Sequence, residues 1–406
     1  MGTRFRERGF SSGGKIVGSD GFSQNDIIWE VDFRRFPLSN GTNAGYHTSL
    51  LSSKGLTLAR ASAATVQTST STVVTTGIGV DAPRIGDAGY GQGLVIEEAR
   101  TNLVPTSREF GGTGWSQGTG NFETGSYADG PDGSVLSADR LYRPDGLNYS
   151  DYVATAVTAG VTYTAGFWVR GTSGASMYSP YVADLQAGNV PVASSIWSRQ
   201  THTRTSAATA TGYWQPLSGV PTTVIVDIVC DLHQLEAGKF PTEAIVTTSG
   251  AATRAGDKLT LARDITRNGR ISLELQFIPK AARSSYSGSP VLWQSTASPN
   301  DLCQFAFNTG NLVCTVAGES TTLGTIDWAA GDVVDLWIEC GGGGSTIAKY
   351  RRNNGVVTSL LAGAPRANIV APSITIGSNY LGGANVSAWY KYARAYVPGR
   401  RPTWAA

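Results

Sequence analysis

At 406 residues the chain is too long for one ordinary sandwich domain and suits two or three, each burying its own core. Charged residues make up 15% of it, against roughly 25% in typical soluble proteins, while glycine fills 50 positions, a balance that favours strands and turns. With a net charge of +2 and basic residues dispersed among acidic ones, it has no electrostatic footprint for nucleic acid or anionic lipid, and no apolar run approaches the roughly 20 residues of a bilayer-spanning helix.

Residues 1–26 mix Gly, Ser and Arg without apolar periodicity and predict an extended arm that gains order from a partner. Phe5, Phe10, Ile16, Val17 and Phe22 stand singly along it, each suited to a separate pocket on a docking protein. Arg4, Arg6, Arg8 and Lys15 outnumber Glu7 and Asp20, which suits an acidic groove. No apolar stretch follows the charged start, so no secretory signal is expected and assembly in a cytoplasm is. In Ile27–Phe33, the residues Ile27, Trp29, Val31 and Phe33 alternate with Ile28, Glu30 and Asp32, the period of a half-buried strand. Residues 27–101 read as a β-rich segment, a candidate to pair with a later sandwich.

From about Asn102 to Arg254, strand signals recur at Tyr152–Val157, Val161–Arg170, Tyr178–Leu185, Gly212–Ser218 and Thr222–Gln234. A polar joint at Thr247–Lys258 precedes a second set that runs from Arg270–Pro279 to Ala388–Tyr396. The expected fold class is all-β, with tandem β-sandwich (jelly-roll) domains at 102–254 and 255–406 behind the extended N-terminal arm. No stretch of a dozen residues keeps helical apolar spacing, so no helix is expected. Cys230, Cys303, Cys314 and Cys340 sit singly, without metal-ligand spacing. Cys303 and Cys314 fall on two arms of one predicted hairpin, where a disulfide and reduced core thiols are both open, the latter favoured by cytoplasmic assembly.

The segment Gly93–Leu103, reading GLVIEEARTNL, resembles one found in tailed-phage and prophage virion proteins of the head-spike or tail-fibre kind. Upstream, Leu58–Thr65 and Ala82–Ile85 are similar to that family's arginine-alanine-serine and proline-arginine pieces. Downstream, Gln234–Gly238, Pro241-Thr242 and Ala251–Asp257 resemble the way these proteins close a carbohydrate-binding-module-like sandwich. The C-terminal part, with Ile374–Ser378 and Tyr392–Pro398, looks like a concanavalin-A-like or laminin-G-like jelly roll. The resemblance implies a virion component, often trimeric, projecting from a capsid or tail, with residues 1–26 as its virion-docking arm.

Catalytic residues are not expected. Glu30 and Asp32 stand as in the Glu-x-Asp-x-x-Glu strand of laminarinase-like jelly rolls, but Arg34 and Arg35 occupy the region where the acid belongs. His47, His202 and His233 form no visible triad with a serine, and Gly341–Ser345 lacks the Lys-Ser/Thr ending of a phosphate loop. Asp129 and Asp132, in a Gly-rich turn, are candidate ligands of a structural calcium but foremost turn formers. For glycan binding, the candidates are Trp168 and Arg170, on the face of their strand opposite Tyr163, Ala165, Phe167 and Val169, with Tyr178 and Tyr181 as neighbours. The competing reading packs Trp168 under a loop or another subunit.

The expected protein is therefore a structural virion fibre or spike serving host-surface glycan adhesion, a homotrimer contacting capsid or tail proteins, with no cofactor beyond that calcium. A tailspike depolymerase cutting host polysaccharide is the alternative. A secreted carbohydrate-binding protein is disfavoured by the missing signal.

Overall fold

The computed structural model describes residues 27–40, 43–68, 74–87, 89, 91–116, 122–143, 151–171, 177–178, 181–183, 185–186, 190–191, 196–216, 226–286, 289–295, 303–308, 310–316, 319–365, 367–369, 373–379 and 385–405. The arm, with Phe5, Phe10, Ile16, Val17 and Phe22, lies outside them.

Two large antiparallel sheets face each other in the C-terminal part. The eight-stranded sheet runs in the order Thr358–Pro365, Gly344–Arg352, Val334–Gly341, Arg270–Pro279, Ala388–Tyr396, Gly93–Ile96, Ile85–Gly86, and Ile27–Asp32 also pairs with Ala388–Tyr396. The seven-stranded sheet runs Leu56–Ala59, Lys258–Leu261, Ile374–Ile376, Val291–Ser295, Cys303–Asn308, Asn311–Val316, Glu319–Thr325. Between them lies one apolar core in which Trp29, Val31 and Phe33 meet Leu273, Leu275, Phe277, Trp293 and Phe305. This sandwich is thus not contained in residues 255–406, because four of its strands come from residues 27–96.

Residues between the two halves of that sandwich form a second one. Its five-stranded sheets are Ser198–Thr205, Thr162–Gly171, Val226–Ala237, Ala138–Arg143, Phe122–Ala128 and, opposite, Leu185–Gln186, Tyr181–Ala183, Ala210–Gln215, Tyr152–Val157, Trp115–Ser116. Tyr163, Ala165, Phe167 and Val169 point into its core with Leu141, Trp214 and Ile228, the face expected from their alternation.

A helix the sequence did not signal spans Ala44–Ser53. At ten residues, with Gly45 in its first turn, it is shorter than the window that helical periodicity needs. Its apolar side is short: Leu51 is buried, and so is His47, whose Nε2 lies 2.8 Å from the Pro37 carbonyl. Cys230, Cys314 and Cys340 are buried thiols. The hairpin register sets Cys314 opposite Phe305 and Cys303 opposite Val316, so the two cysteines are not cross-strand partners.

The chain crosses between the sandwiches twice, and both crossings are tied by charge. Arg100–Asn102, going out, pairs antiparallel with Ala252–Arg254, coming back. Beside this ribbon Glu97 receives Arg84 at 2.7 Å, Arg254 at 2.5 Å and Lys280 at 2.6 Å, while Asp257 receives Arg60 at 3.1 Å and Arg84. Lys280 also reaches Glu243 at 2.5 Å. All these side chains are at most 4% exposed. Burial pushes the Glu97 carboxyl up, but Arg254, Lys280 and Arg84 together hold it well below the usual carboxylate range. A hairpin of Ala64–Gln67 and Val74–Ile78 completes the junction. Its Val66 and Ile78 pack with Val95, Ile278 and Trp389 of the eight-stranded sheet, and its Val74 packs with Trp168 and Val229 of the inner sandwich.

Replacing Glu97 strands Arg254 and takes one of two carboxylates from Arg84 and from Lys280. Glu97→Gln is expected to lower unfolding free energy by about 3–5 kcal/mol, the scale for breaking a buried pair from one side. Denaturant unfolding checks it, and a loss under about 1 kcal/mol, the scale of an exposed pair, refutes it.

Candidate functional site

The hairpin and the inner sandwich cover only one end of the outer face of the eight-stranded sheet. At the other end, strand register builds two polar rows. One reads Glu30, Arg394, Glu274, Trp337, Lys349 across five strands, and the next Asp32, Tyr392, Gln276, Asp335, Arg351. Opposite charges thus sit on adjacent strands, where cross-strand pairs stabilise the sheet.

Glu274 is the buried centre of this face. Its oxygens accept from Tyr396 Oη at 2.6 Å, Trp404 Nε1 at 2.7 Å and Tyr392 Oη at 3.0 Å, with Arg394 at 3.7 Å. Tyr392 Oη also lies 3.2 Å from Asp335, which accepts from Gln276 at 2.7 Å and Arg351 Nε at 2.9 Å. Burial pushes the Glu274 carboxyl up, outweighing Tyr396, Trp404, Arg394 and Tyr392. Burial and the charge of Glu274 likewise raise the Tyr392 and Tyr396 phenols. Above these acids the guanidiniums of Arg34 and Arg394 lie 5.0 and 4.4 Å from the Tyr392 ring centre, and that of Arg351 lies 5.1 Å from the ring of Trp404. Arg34 forks onto Asp32 at 2.8 Å, and Arg394 Nε meets Glu30 at 2.7 Å. Burial raises the Asp32 carboxyl, but Arg34 pulls it below its ordinary value.

The result is a groove of about 580 Å³, lined among others by Arg34, Arg351, Arg394, Tyr392, Thr403 and Trp404. Glu274 and Asp335 are 0% exposed beneath it. Their oxygens already accept several donors, so they hold the rings and guanidiniums in place and present no free carboxyl to a bound molecule. What faces outward is donor and ring surface.

No family model and no curated protein matches the chain. Among solved structures it is similar to a point mutant of HCR/D, at 12% identity over 35% of this chain and 36% of that one, TM-score 0.24. It is also similar to the LG1-3 region of the laminin alpha2 chain, at 10% identity over 60% and 63%, TM-score 0.25. A third is a conserved carbohydrate esterase of Shiga toxin-encoding bacteriophage phi24B, at 13% identity over 73% and 96%, TM-score 0.16. The chain spans about a third of the first and under two thirds of the second. Likeness at this level assigns no activity, and the all-β sandwich class stands on the sheets themselves.

The glycan-binding residues expected from sequence are not brought together. Trp168 is 1% exposed, packed with Val74, Ala138, Trp197 and Leu232 under the hairpin. Its strand is covered on both faces, which alternation within one strand cannot show. Arg170 lies over Trp197, 5.0 Å from the ring centre. Tyr181 belongs to the opposite sheet, beside Tyr213, and Met177–Tyr178 pairs with Val190–Pro191. The side chain of Tyr178 is outside the described residues.

The Asp129–Gly133 turn is organised by an arginine. Arg108 binds Asp132 at 2.5 Å and Asp231 at 2.9 Å, and Thr76 and Ser134 donate to Asp132 as well. Asp129 turns away to accept from the Leu136 amide at 2.9 Å. Of the two carboxylates singled out for a calcium, Asp132 is thus held by a guanidinium and two hydroxyls, and Asp129 by a backbone amide. Gly130 is required here, since a Cβ would lie 2.3 Å from both Asp231 Oδ2 and Ser137 Oγ. The three histidines are dispersed; His233 is stacked on Phe167, and burial lowers it to about 3.

Asp231 generates a pH dependence. Burial pushes it to about 7, more than Arg108 and the hydrogen bonds recover. Its folded pKa exceeds the unfolded one, so the folded state holds the extra proton and this contribution to stability falls as pH rises from about 4 to about 7. Asp231→Asn is expected to flatten that slope in urea unfolding series. An unchanged slope assigns it to other groups.

Proposed function

We propose that this chain is an adhesive structural protein of a tailed-phage particle, a fibre or spike that grips host-surface saccharide at the groove of its C-terminal sandwich and does not cleave it. One observation carries the binding reading: the carboxylates of the groove are engaged from within the protein, so its ligand-facing surface is dominated by guanidinium donors and the half-buried Trp404, with Gln276 and Thr403 beside them. Such a surface suits an oxygen-rich ligand, whose hydroxyls accept while a C–H face rests on the indole. The virion setting is supported by the likeness of Gly93–Leu103 and its companion segments to phage head-spike and tail-fibre proteins. Trp404→Ala is expected to weaken retention on host polysaccharide roughly tenfold, the scale of a truncated aromatic anchor, with no release of reducing sugar from either form.

Hydrolysis is the second reading, favoured by Glu274 and Asp335 lying either side of the Tyr392 hydroxyl and by the raised Glu274 carboxyl. Reducing-sugar release that disappears in Glu274→Gln establishes it and ends the adhesive one.

In the same proposal residues 1–26 dock the protein to capsid or tail partners through Phe5, Phe10, Ile16, Val17 and Phe22, and three chains assemble into a trimer. Deleting residues 2–22 is expected to leave the unfolding transition intact and abolish incorporation into particles. Normal incorporation of the truncated chain, or a one-chain mass in light scattering, refutes the respective part.

A further inference from the structure

We propose that the ligand of this groove is an anionic saccharide, its carboxylate, sulfate or phosphate held by the guanidiniums of Arg34, Arg351 and Arg394; this rests on the glycan reading above. The first ground is donor accounting. Arg351 spends Nε on Asp335, Arg394 spends Nε on Glu30, and Arg34 spends Nε and Nη2 on Asp32. Among the described residues, the terminal nitrogens of Arg351 and Nη1 of Arg34 donate to no hydrogen-bond acceptor. Both side chains reach the surface, with Arg351 22% and Arg34 44% exposed. Guanidinium edges of this kind match the paired oxygens of an anion.

The second ground is the scarcity of open acceptors: beside the guanidiniums, Gln276 and the exposed Thr403 line the groove, and neither carries charge. A neutral sugar is a donor as much as an acceptor, and its hydroxyl protons need partners. Here Glu274 and Asp335 are buried beneath the rings, and Asp32 is gripped by Arg34 from one side and Arg35 at 3.2 Å from another. The Tyr392 ring lies under two guanidiniums and is 5% exposed, and the half-buried Trp404 ring carries Arg351, so little ring surface is bare for stacking. Charge tells the same way. Lys349 stands at the end of one row, and Arg401, whose charge Lys349 feels, precedes the groove residues Pro402–Trp404. The groove thus offers many donors, few acceptors and little bare ring, which is the complement of an acidic ligand.

The experiment uses the full chain and paired probes: oligogalacturonate with its carboxyl-reduced form, and dextran sulfate and dextran phosphate with plain dextran, titrated by calorimetry at low and physiological salt. The expected result is binding of at least one charged probe at least tenfold tighter than its neutral partner, weakening as salt rises. Arg351→Gln and, separately, Arg34→Gln are expected to remove about tenfold of the charged probe's affinity, the scale of a charge-assisted hydrogen bond, and to cost its neutral partner clearly less. The second variant alters an exposed side chain and guards against a folding defect in the first. Equal affinity for charged and neutral partners, or equal losses for both in the variants, overturns the anionic assignment and leaves the glycan reading standing. No binding of any of these probes or of host polysaccharide overturns both.

Discussion

Everything else in this molecule hangs on a buried cluster in which Arg60, Arg84, Arg254 and Lys280 neutralise Glu97, Glu243 and Asp257. Taking any one of these groups out of water alone is prohibitively unfavourable, and only simultaneous arrival of partners offsets it. Their positions along the chain explain the architecture. Glu97 stands where the chain leaves the outer sandwich, and Arg254 and Asp257 stand where it returns. Arg60 and Arg84 come from the segment that has already lent strands to that sandwich. A cluster satisfied only when exit, return and early segment meet makes the two sandwiches one cooperative object at their junction.

The same junction decides where a site can be. The hairpin that completes it lays Val66 and Ile78 over one end of the eight-stranded sheet and Val74 over the inner sandwich. That buries Trp168 and removes the aromatic surface the inner sandwich otherwise presents. The uncovered end keeps its polar rows. There the carboxylates sit low and the cations high, because Tyr392, Tyr396 and Trp404 can satisfy Glu274 only with their polar tips turned inward and their rings held above it. The acids act as the foundation of a donor surface.

A bulge is the local device that makes this face. Between Gln276 and Phe277 the register against Ala388–Tyr396 slips, and Lys391 is the residue passed over. Tyr390 consequently packs in the core against Phe277, while Tyr392, of the same parity, stands on the outer face against Glu274. The passed-over Lys391 caps the carbonyls of Gly91 and Gln92.

Alternation and turn chemistry by themselves determined the class, most strand positions and the inward faces of Trp29–Phe33 and Tyr163–Val169, because a period of two and a glycine-rich turn are local properties; a register shift before Trp29 instead sets Ile27 against Trp337 and Tyr396 and Ile28 against the core. The segments around Arg60, Arg84, Glu97 and Arg254 were legible as unusual, but a lone arginine does not name its carboxylate across 150 residues of chain. Trp168 packs under the hairpin, as the competing reading of its strand had it, and which reading held depended on neighbours that its own pattern does not contain. The groove was hidden for the same reason: Glu30, Glu274, Asp335, Arg351 and Arg394 come from five strands whose order no single segment contains, and a bulge reverses the parity that leads to Tyr392. Strand order and register are set by which surfaces must leave water together, so only the tertiary structure decided which polar residues became a site.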